Sequence, residues 1–232
     1  MRKNLPIYGM VIEGQDCSGK STICDLLKDR LLNMNIDIIT GHGTLTQNNF
    51  VKFLSGCAYN ALPDFNNCNK HKEQHSTLFN KFNKYSMSEL ILDLLIFERE
   101  EKENKCFFLQ DRYFFSQILF NIIMNKNGCL SQEMHMFQSM YRPFLLNIYL
   151  TVSESERIDR MHKRSIGRKL DGTDLLFYNH PEIATEMDNI AKQLIKNKNQ
   201  RENWMIIDTT ISNPKRIANK ILEQLKNLVE LS

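Results

Sequence analysis

The chain has 232 residues, enough for one domain with a sizeable core or at most two small ones. With 42% apolar and 25% charged residues, and only 9 Gly and 5 Pro, it is neither collagen-like nor Pro/Gly-rich and disordered. A net charge of +3 is too small to argue by itself for a nucleic-acid or anionic-membrane surface. No apolar run approaches the ~20 residues of a membrane-spanning helix. Residues 1–6 lead straight into an apolar run at Ile7, so no cleavable signal is expected. The six cysteines, at 17, 24, 57, 68, 106 and 129, form no CxxC pair and are expected to be reduced thiols in a cytoplasmic protein.

In chain order the pattern alternates strand and helix. Residues 7–12 form a β-rich run ending at Glu13-Gly14, and residues 20–33 set Ile23, Leu26, Leu27 and Leu31 on one helical face. Residues 36–40 form a second short strand. Residues 41–86 are polar and Asn-rich and are expected to be loop and short helices, whereas 88–101 carry Leu90, Ile91, Leu94 and Leu95 at helical spacing. A third strand over 106–110 runs into Asp111-Arg112-Tyr113, with helices expected over 116–125 and within 131–141. A fourth strand, 147–152, meets Ser153-Glu-Ser-Glu156, the capping-box pattern. Residues 204–207 form a fifth, and Ser212-Asn213-Pro214 opens a last helix striped by Ile217, Ile221, Leu225 and Leu228. Five strands separated by helices predict one α/β domain over 1–232, a parallel sheet with helices on both faces in three layers.

Three segments carry chemistry. Gly14-Gln-Asp-Cys-Ser-Gly19-Lys20-Ser21, followed by Thr22, satisfies the phosphate-binding pattern G-x-x-x-x-G-K-[ST] between a strand and a helix. Glycines let the chain turn so that backbone N–H groups of the loop, Ser18 among them, surround phosphate oxygens at a helix N-terminus. Lys20 adds a point charge and Ser21 can ligate Mg²⁺. Asp111-Arg112-Tyr113 sits at the end of a strand, where open α/β sheets bind ligands. There the carboxylate can hold Mg²⁺ or orient an attacking oxygen, and the guanidinium can grip a phosphate. Residues 157–169 carry Arg157, Arg160, Lys163, Arg164, Arg168 and Lys169 against Asp159 alone, a larger excess than that of the whole chain. Beside a phosphate loop this basic run predicts a mobile lid over about 155–180, which supplies charge to a transferred phosphoryl group and excludes water.

Over nearly its whole length the sequence resembles the thymidylate kinases, P-loop nucleoside monophosphate kinases. Residues 14–22 match the family's Gly-x-Asp-x-x-Gly-Lys-Ser-Thr, and 111–113 its Asp-Arg-Tyr. Phe97-Glu98-Arg99 resembles the end of an acceptor-side helix, Arg142-Pro143 and Tyr149-Leu150 the run before the lid, and Ile207-Asp208-Thr209 the segment beside the adenine. The resemblance implies ATP as donor, Mg²⁺ held near Ser21 and Asp111, a homodimer, and no nucleic-acid or membrane partner. It implies that Asp16, Arg99, Arg112 and Tyr113 hold the acceptor and that Arg160 and Thr209 lie on the ATP side. Cys17 occupies the position where some members carry a catalytic Arg, so the chain resembles the type whose lid supplies it, with Arg164 and Arg168 as candidates.

The acceptor side departs from the family. The Arg that follows the second strand is absent from Ile39-Thr-Gly-His-Gly-Thr44, the stacking aromatic falls on Leu95, and a Tyr-Gln pair falls on Phe120-Asn121. About twenty extra residues fall in 41–86. Phe97 or one of Phe107, Phe108, Phe114 and Phe115 can take the aromatic's place. Cys57, Cys68, His71 and His75 are spaced too widely for a usual structural zinc site and are expected to be polar loop residues and a buried thiol. The expected activity is phosphoryl transfer from ATP to a (deoxy)nucleoside monophosphate, dTMP first. The competing readings are a deoxynucleoside kinase, which normally carries Glu-Arg-Ser at the third strand, and a non-catalytic nucleotide-binding protein.

Overall fold

All five strands run parallel, in the order β2-β3-β1-β4-β5. The computed structural model describes residues 5–61, 72–100, 106–124, 137, 140–167, 170, 172–198 and 202–230, excepting the side chains of 72–80, 100, 124, 172, 173, 198 and 230. The strands are β1 (Ile7–Gly14), β2 (Ile38–His42), β3 (Phe107–Asp111), β4 (Phe144–Thr151) and β5 (Trp204–Asp208). Each overlaps a predicted strand. Their buried runs, such as Met10-Val-Ile12 and Leu146 to Leu150, are those of a sheet covered on both faces.

The helices are α1 (Lys20–Asn33), α2 (Asn49–Asn60), α3 (Lys72–Glu100), α4 (Phe114–Met124), α5 (Glu154–Gly167), α6 (Gly172–Asn179), α7 (Pro181–Lys198) and α8 (Pro214–Glu230). α1 and α8 cover one face, where Ile23, Leu27, Ile217 and Ile221 meet Met10, Ile12, Ile148 and Leu150. α3, α4 and α7 cover the other, where Leu94, Phe115, Ile118, Met187 and Ala191 join Val11, Phe108 and Tyr149. This is the expected three-layer arrangement. No helix among the described residues is long and apolar enough to cross a membrane.

α3 differs from expectation. It begins at Lys72 rather than near 88, so the last third of the expected insertion, 72–86, is helix, and α2 forms from part of the rest. No Gly or Pro interrupts 72–100. Phe82, Ser86, Met87, Leu90, Asp93, Leu94 and Phe97 form one buried face, whose period is obscured by its polar members. Asp93 is fully buried and accepts from the Leu45 N–H (2.6 Å), the Thr46 N–H (2.8 Å) and the Thr46 hydroxyl (2.8 Å), tying the β2–α2 loop to α3. The helix expected within 131–141 falls largely outside the described residues.

The capping box at α5 is half made. Ser153 Oγ accepts from the Glu156 N–H at 3.4 Å, but the Ser153 N–H donates to Thr210 Oγ1 at 2.8 Å, and the Glu156 carboxylate pairs with Arg160. At α8, Asn213 accepts from the Lys215 N–H at 2.9 Å with Pro214 in the first turn, as expected.

Candidate functional site

The chain crosses over in opposite directions from β1 and β3, which opens a crevice at their carboxyl ends. The phosphate-loop sequence follows β1 into this crevice. Gly14 has φ 142°, and a Cβ there would lie 2.4 Å from the Leu150 carbonyl oxygen, so only glycine lets the loop leave the sheet. Gly19, at φ 91°, is the N-cap of α1 and offers no side chain to the first turn, whose N–H groups face the loop as an anion site. Lys20 is buried, with its Nζ donating to the Gln15 carbonyl at 2.8 Å. Burial, with Arg112 adding repulsion, pushes the Lys20 ammonium down to about 8 despite Asp16, Asp111 and Glu13 nearby.

β3 delivers Asp111 to the same place. Ser21 Oγ donates to Asp111 Oδ2 at 3.1 Å, and His42 Nδ1 lies 3.5 Å from the same oxygen. Burial opposes ionisation of Asp111, but the His42 contact and the charges of Lys20 and Arg112 hold the carboxyl below its ordinary value. The other oxygen, Oδ1, is buried with no partner among the described residues. An open carboxylate oxygen beside a serine hydroxyl is a hard-oxygen donor set that suits Mg²⁺.

Arg112 adopts φ 62°, which turns its guanidinium back over the loop. It pairs with Asp16 and donates to the Gly14 carbonyl (2.9 Å) and Ser116 Oγ (3.2 Å). Burial raises the Asp16 carboxyl, yet Arg112, Lys20 and Arg164 outweigh it and the net shift is downward. Glu13, fully buried beneath this turn, accepts from the Tyr113 N–H (2.9 Å), the Phe115 N–H (3.1 Å) and Ser116 Oγ (2.5 Å). The strained arginine therefore sits on a carboxylate scaffold that sequence reasoning had passed over as part of a strand end.

These groups open into one cavity of about 750 Å³, within the range of small-molecule sites. Of the residues singled out in the sequence, Asp16, Cys17, Gly19, Lys20, Ser21 and Thr22 line its loop end, with Asp111, Arg112 and Arg164 beside them, and Tyr113 and Phe120 line it towards α3. Gly14 and Ser18 shape the loop from behind. Arg160 is committed elsewhere: it donates to the Cys17 carbonyl (3.1 Å) and the Thr209 carbonyl (2.8 Å) and pairs with Glu156. The Thr209 hydroxyl donates to the Ser18 carbonyl at 2.9 Å, so this pair braces the loop rather than lining the cavity. Asn121 is fully buried outside the lining.

Arg99 is exposed and is not part of the cavity wall. The stretch of α3 that does line it is Phe82, Ser86, Glu89 and Leu90, and nine further residues carry Arg99 about 13 Å along the helix axis. Phe97, Phe107, Phe108, Phe114 and Phe115 are buried in the core, so the aromatic rings on the cavity are others, Phe82 and Phe120 among them. Sequence reading missed Phe82, Ser86, Glu89 and Gln117. Glu89 is buried, and burial with Asp93 nearby lifts its carboxyl to about 7 against a Ser55 hydrogen bond.

In the basic run 157–169, Arg157 is fully buried on Asp188, while Arg164 pairs with Asp174 at 2.9 Å at the cavity edge. Arg168 and Lys169 lie outside the described residues, as do Cys68, His71 and the side chain of His75. Among the described residues no group of three or more His, Cys, Asp or Glu is placed to hold a metal on its own.

The Lys20 environment sets one expectation. A bound triphosphate needs the ammonium form, so affinity for ATP is expected to fall as pH rises above about 8, towards tenfold per unit. Calorimetry at pH 9 in two buffers of different ionisation enthalpy is expected to register proton uptake on binding, and Lys20→Met to remove it.

No protein-family description matches the sequence, and no curated protein matches it significantly. Solved structures do match. A deoxyadenosine kinase from M. mycoides, with the products dCMP and a flexible dCDP bound, aligns at TM-score 0.56 and 17% identity, covering 95% of this chain and 99% of that one. A thymidylate kinase from Candida albicans aligns at TM-score 0.57 and 17% identity, covering 96% of this chain and 92% of that one. At this identity the likeness establishes a shared fold.

Proposed function

We propose that the chain is a kinase that transfers the γ-phosphoryl group of ATP to a (deoxy)nucleoside monophosphate. The observation that carries this reading is one cavity with two ends. Lys20, Ser21 and Asp111 form a triphosphate and metal end, and Asp16 with Arg112 stands where that end opens into a chamber walled by α3 and α4. A phosphate loop that only hydrolysed its nucleotide would need no such second chamber. The resemblance in sequence names dTMP as acceptor, and both structural neighbours are kinases of nucleosides or nucleotides.

In the reaction an acceptor phosphate oxygen attacks the γ-phosphorus, the bond to the β–γ bridging oxygen breaks, and ADP leaves. The protein's part is positioning and electrostatics. Lys20 and the N–H groups of the loop hold the donor phosphates, and Arg112 steers the acceptor phosphate. Asp16, held ionised by that arginine, is placed to accept from a sugar hydroxyl. Arg164 brings charge to the cavity rim. Mg²⁺ bound by Ser21 and Asp111 would neutralise charge on the donor phosphates.

A second reading, transfer to a nucleoside hydroxyl, is favoured by Asp111, a carboxylate kept ionised in the cleft and able to take a hydroxyl proton. ADP release measured across matched nucleosides and monophosphates separates the two. Turnover of monophosphates at least tenfold above their nucleosides is the expected result. The reverse order would replace the proposal with the nucleoside reading, and no turnover of either would remove both.

A further inference from the structure

We infer that the base end of the cavity is built for a nucleobase with an exocyclic amine beside a ring-nitrogen acceptor, the edge shared by cytosine and adenine. Glu89 would accept from the amine, and Gln117 would donate to the ring nitrogen. The inference rests on the reading above, that this chamber takes the acceptor nucleotide.

The observations converge on two helices. Phe82, Ser86 and Glu89 stand at i, i+4 and i+7 on α3 and so face the cavity as one stripe. Across from them Phe120 and Gln117 project from α4, three residues apart on one face. The Phe82 and Phe120 rings meet edge to face at 5.5 Å and 71°, and they give the chamber an apolar wall for a flat ring. Around the polar part stand Glu89, tied by a hydrogen bond to the Ser55 side chain, and Tyr113, whose hydroxyl lies within electrostatic reach of Glu89. The Gln117 Nε2 group is buried and has no partner among the described residues, an arrangement that costs free energy until something in the cavity accepts from it.

The charge pattern decides which bases suit this end. The cations lining the cavity, Lys20, Arg112 and Arg164, belong to the loop end. At the base end the charged group is a carboxyl. Thymine and uracil present a carbonyl oxygen at the position where cytosine presents an amine, and a carboxylate repels that oxygen. The Glu89 carboxyl, lifted to about 7, accepts from an amine in either protonation state, whereas it can donate to a carbonyl only when protonated. An unpaired amide donor and a carboxyl acceptor lining the same cavity supply the two groups that the donor–acceptor edge of cytosine or adenine would pair with.

The test compares acceptors that differ only at this position, dCMP with dUMP and dAMP with dIMP, and includes dTMP. In at least one matched pair kcat/KM is expected to favour the amine by tenfold or more. Glu89→Gln, nearly isosteric, is expected to shrink that ratio below threefold, and Glu89→Arg to invert it. Equal or better use of dTMP, dUMP and dIMP overturns the inference while leaving phosphoryl transfer to monophosphates standing. An unchanged ratio in Glu89→Gln overturns it as well. If monophosphates are not turned over, the functional reading fails on its own. Calorimetric titration of the same nucleotides into the intact protein then decides: a tenfold preference for an amine partner upholds the inference, and a smaller preference or no binding overturns it.

Discussion

Replacing Lys20 with Ala is expected to lower phosphoryl transfer by about 10²–10³-fold or more while leaving the protein folded. Electrostatic groups preorganised at a reacting centre carry effects of that size. Lys20 meets the conditions for the larger end of the range. Its ammonium is buried, hydrogen-bonded to the Gln15 carbonyl, and aimed into the cavity between Asp16 and Asp111. In that poorly solvated cleft no water shell can replace it at equal strength. The fold should tolerate the change. A lysine whose folded pKa lies below its ordinary value costs stability at every pH where the unfolded chain holds it protonated. That cost is present in full below pH 8 and fades towards the ordinary value of 10.5, so removing the group near neutral pH relieves it. Coupled ADP release and a thermal melt check both halves. A variant that keeps more than a tenth of the parent's rate would refute the role of Lys20, and one that unfolds would refute the stability argument.

The phosphate-loop end of the cavity was legible because its parts lie together in sequence. Residues 14–22 and 111–113 are contiguous motifs at strand ends, and the fold keeps each intact. The end proposed to take the acceptor is assembled differently. Its wall is a stripe on α3 in which polar Ser86 and Glu89 interrupt the apolar period, because that face borders a cavity rather than the core. The four-residue spacing of Leu95 and Arg99 matched a family pattern, yet Phe82 and Ser86 have the same spacing and lie on the cavity. A spacing fixes which residues share a face but not how far along the sheet that face sits. The central strands β1, β3 and β4 were recoverable to within a few residues because burial on both faces leaves continuous apolar runs. The start of α3 was not, because an Asn-rich composition is ambiguous between loop and solvated helix.

Charge was misleading in a related way. The basic run 157–169 was expected to carry its cations towards a triphosphate, but sequence records their sign and not their direction. Arg157 turns inward, Arg160 grips the back of the phosphate loop, and Arg164 shares its charge with Asp174. The opposing acids, Asp174 and Asp188, lie in α6 and α7 and could not be assigned to these arginines by proximity in the chain. The first two turns of α5, through Arg160, are thereby fastened to the phosphate loop.

That fastening predicts the largest stability effect in the molecule. Arg157 Nη2 lies 2.5 Å from Asp188 Oδ2, with the arginine side chain fully buried. Asp188 Oδ1 accepts from the Tyr149 hydroxyl at 2.8 Å, and Tyr149 in turn accepts from Gln15 Nε2 at 3.1 Å. The other arm of Arg157 donates to the Asp16 carbonyl at 3.3 Å. One network thus joins α5, α7, β4 and the first residues of the phosphate loop, Gln15 and Asp16. Asp188→Ala leaves a fully buried guanidinium without its carboxylate partner, and is expected to cost about 3–5 kcal/mol in denaturant unfolding. Replacing both partners with apolar residues, Arg157→Met with Asp188→Leu, should recover most of that loss, because the dominant cost is the orphaned charge rather than the missing attraction. The two variants should part company in function. The double variant regains stability but has no donor on the Asp16 carbonyl, so its KM for the acceptor should rise even where its fold is secure. A single variant within about 1 kcal/mol of the parent, or a double variant no more stable than the single, would mean that the pair is not the clamp the geometry describes.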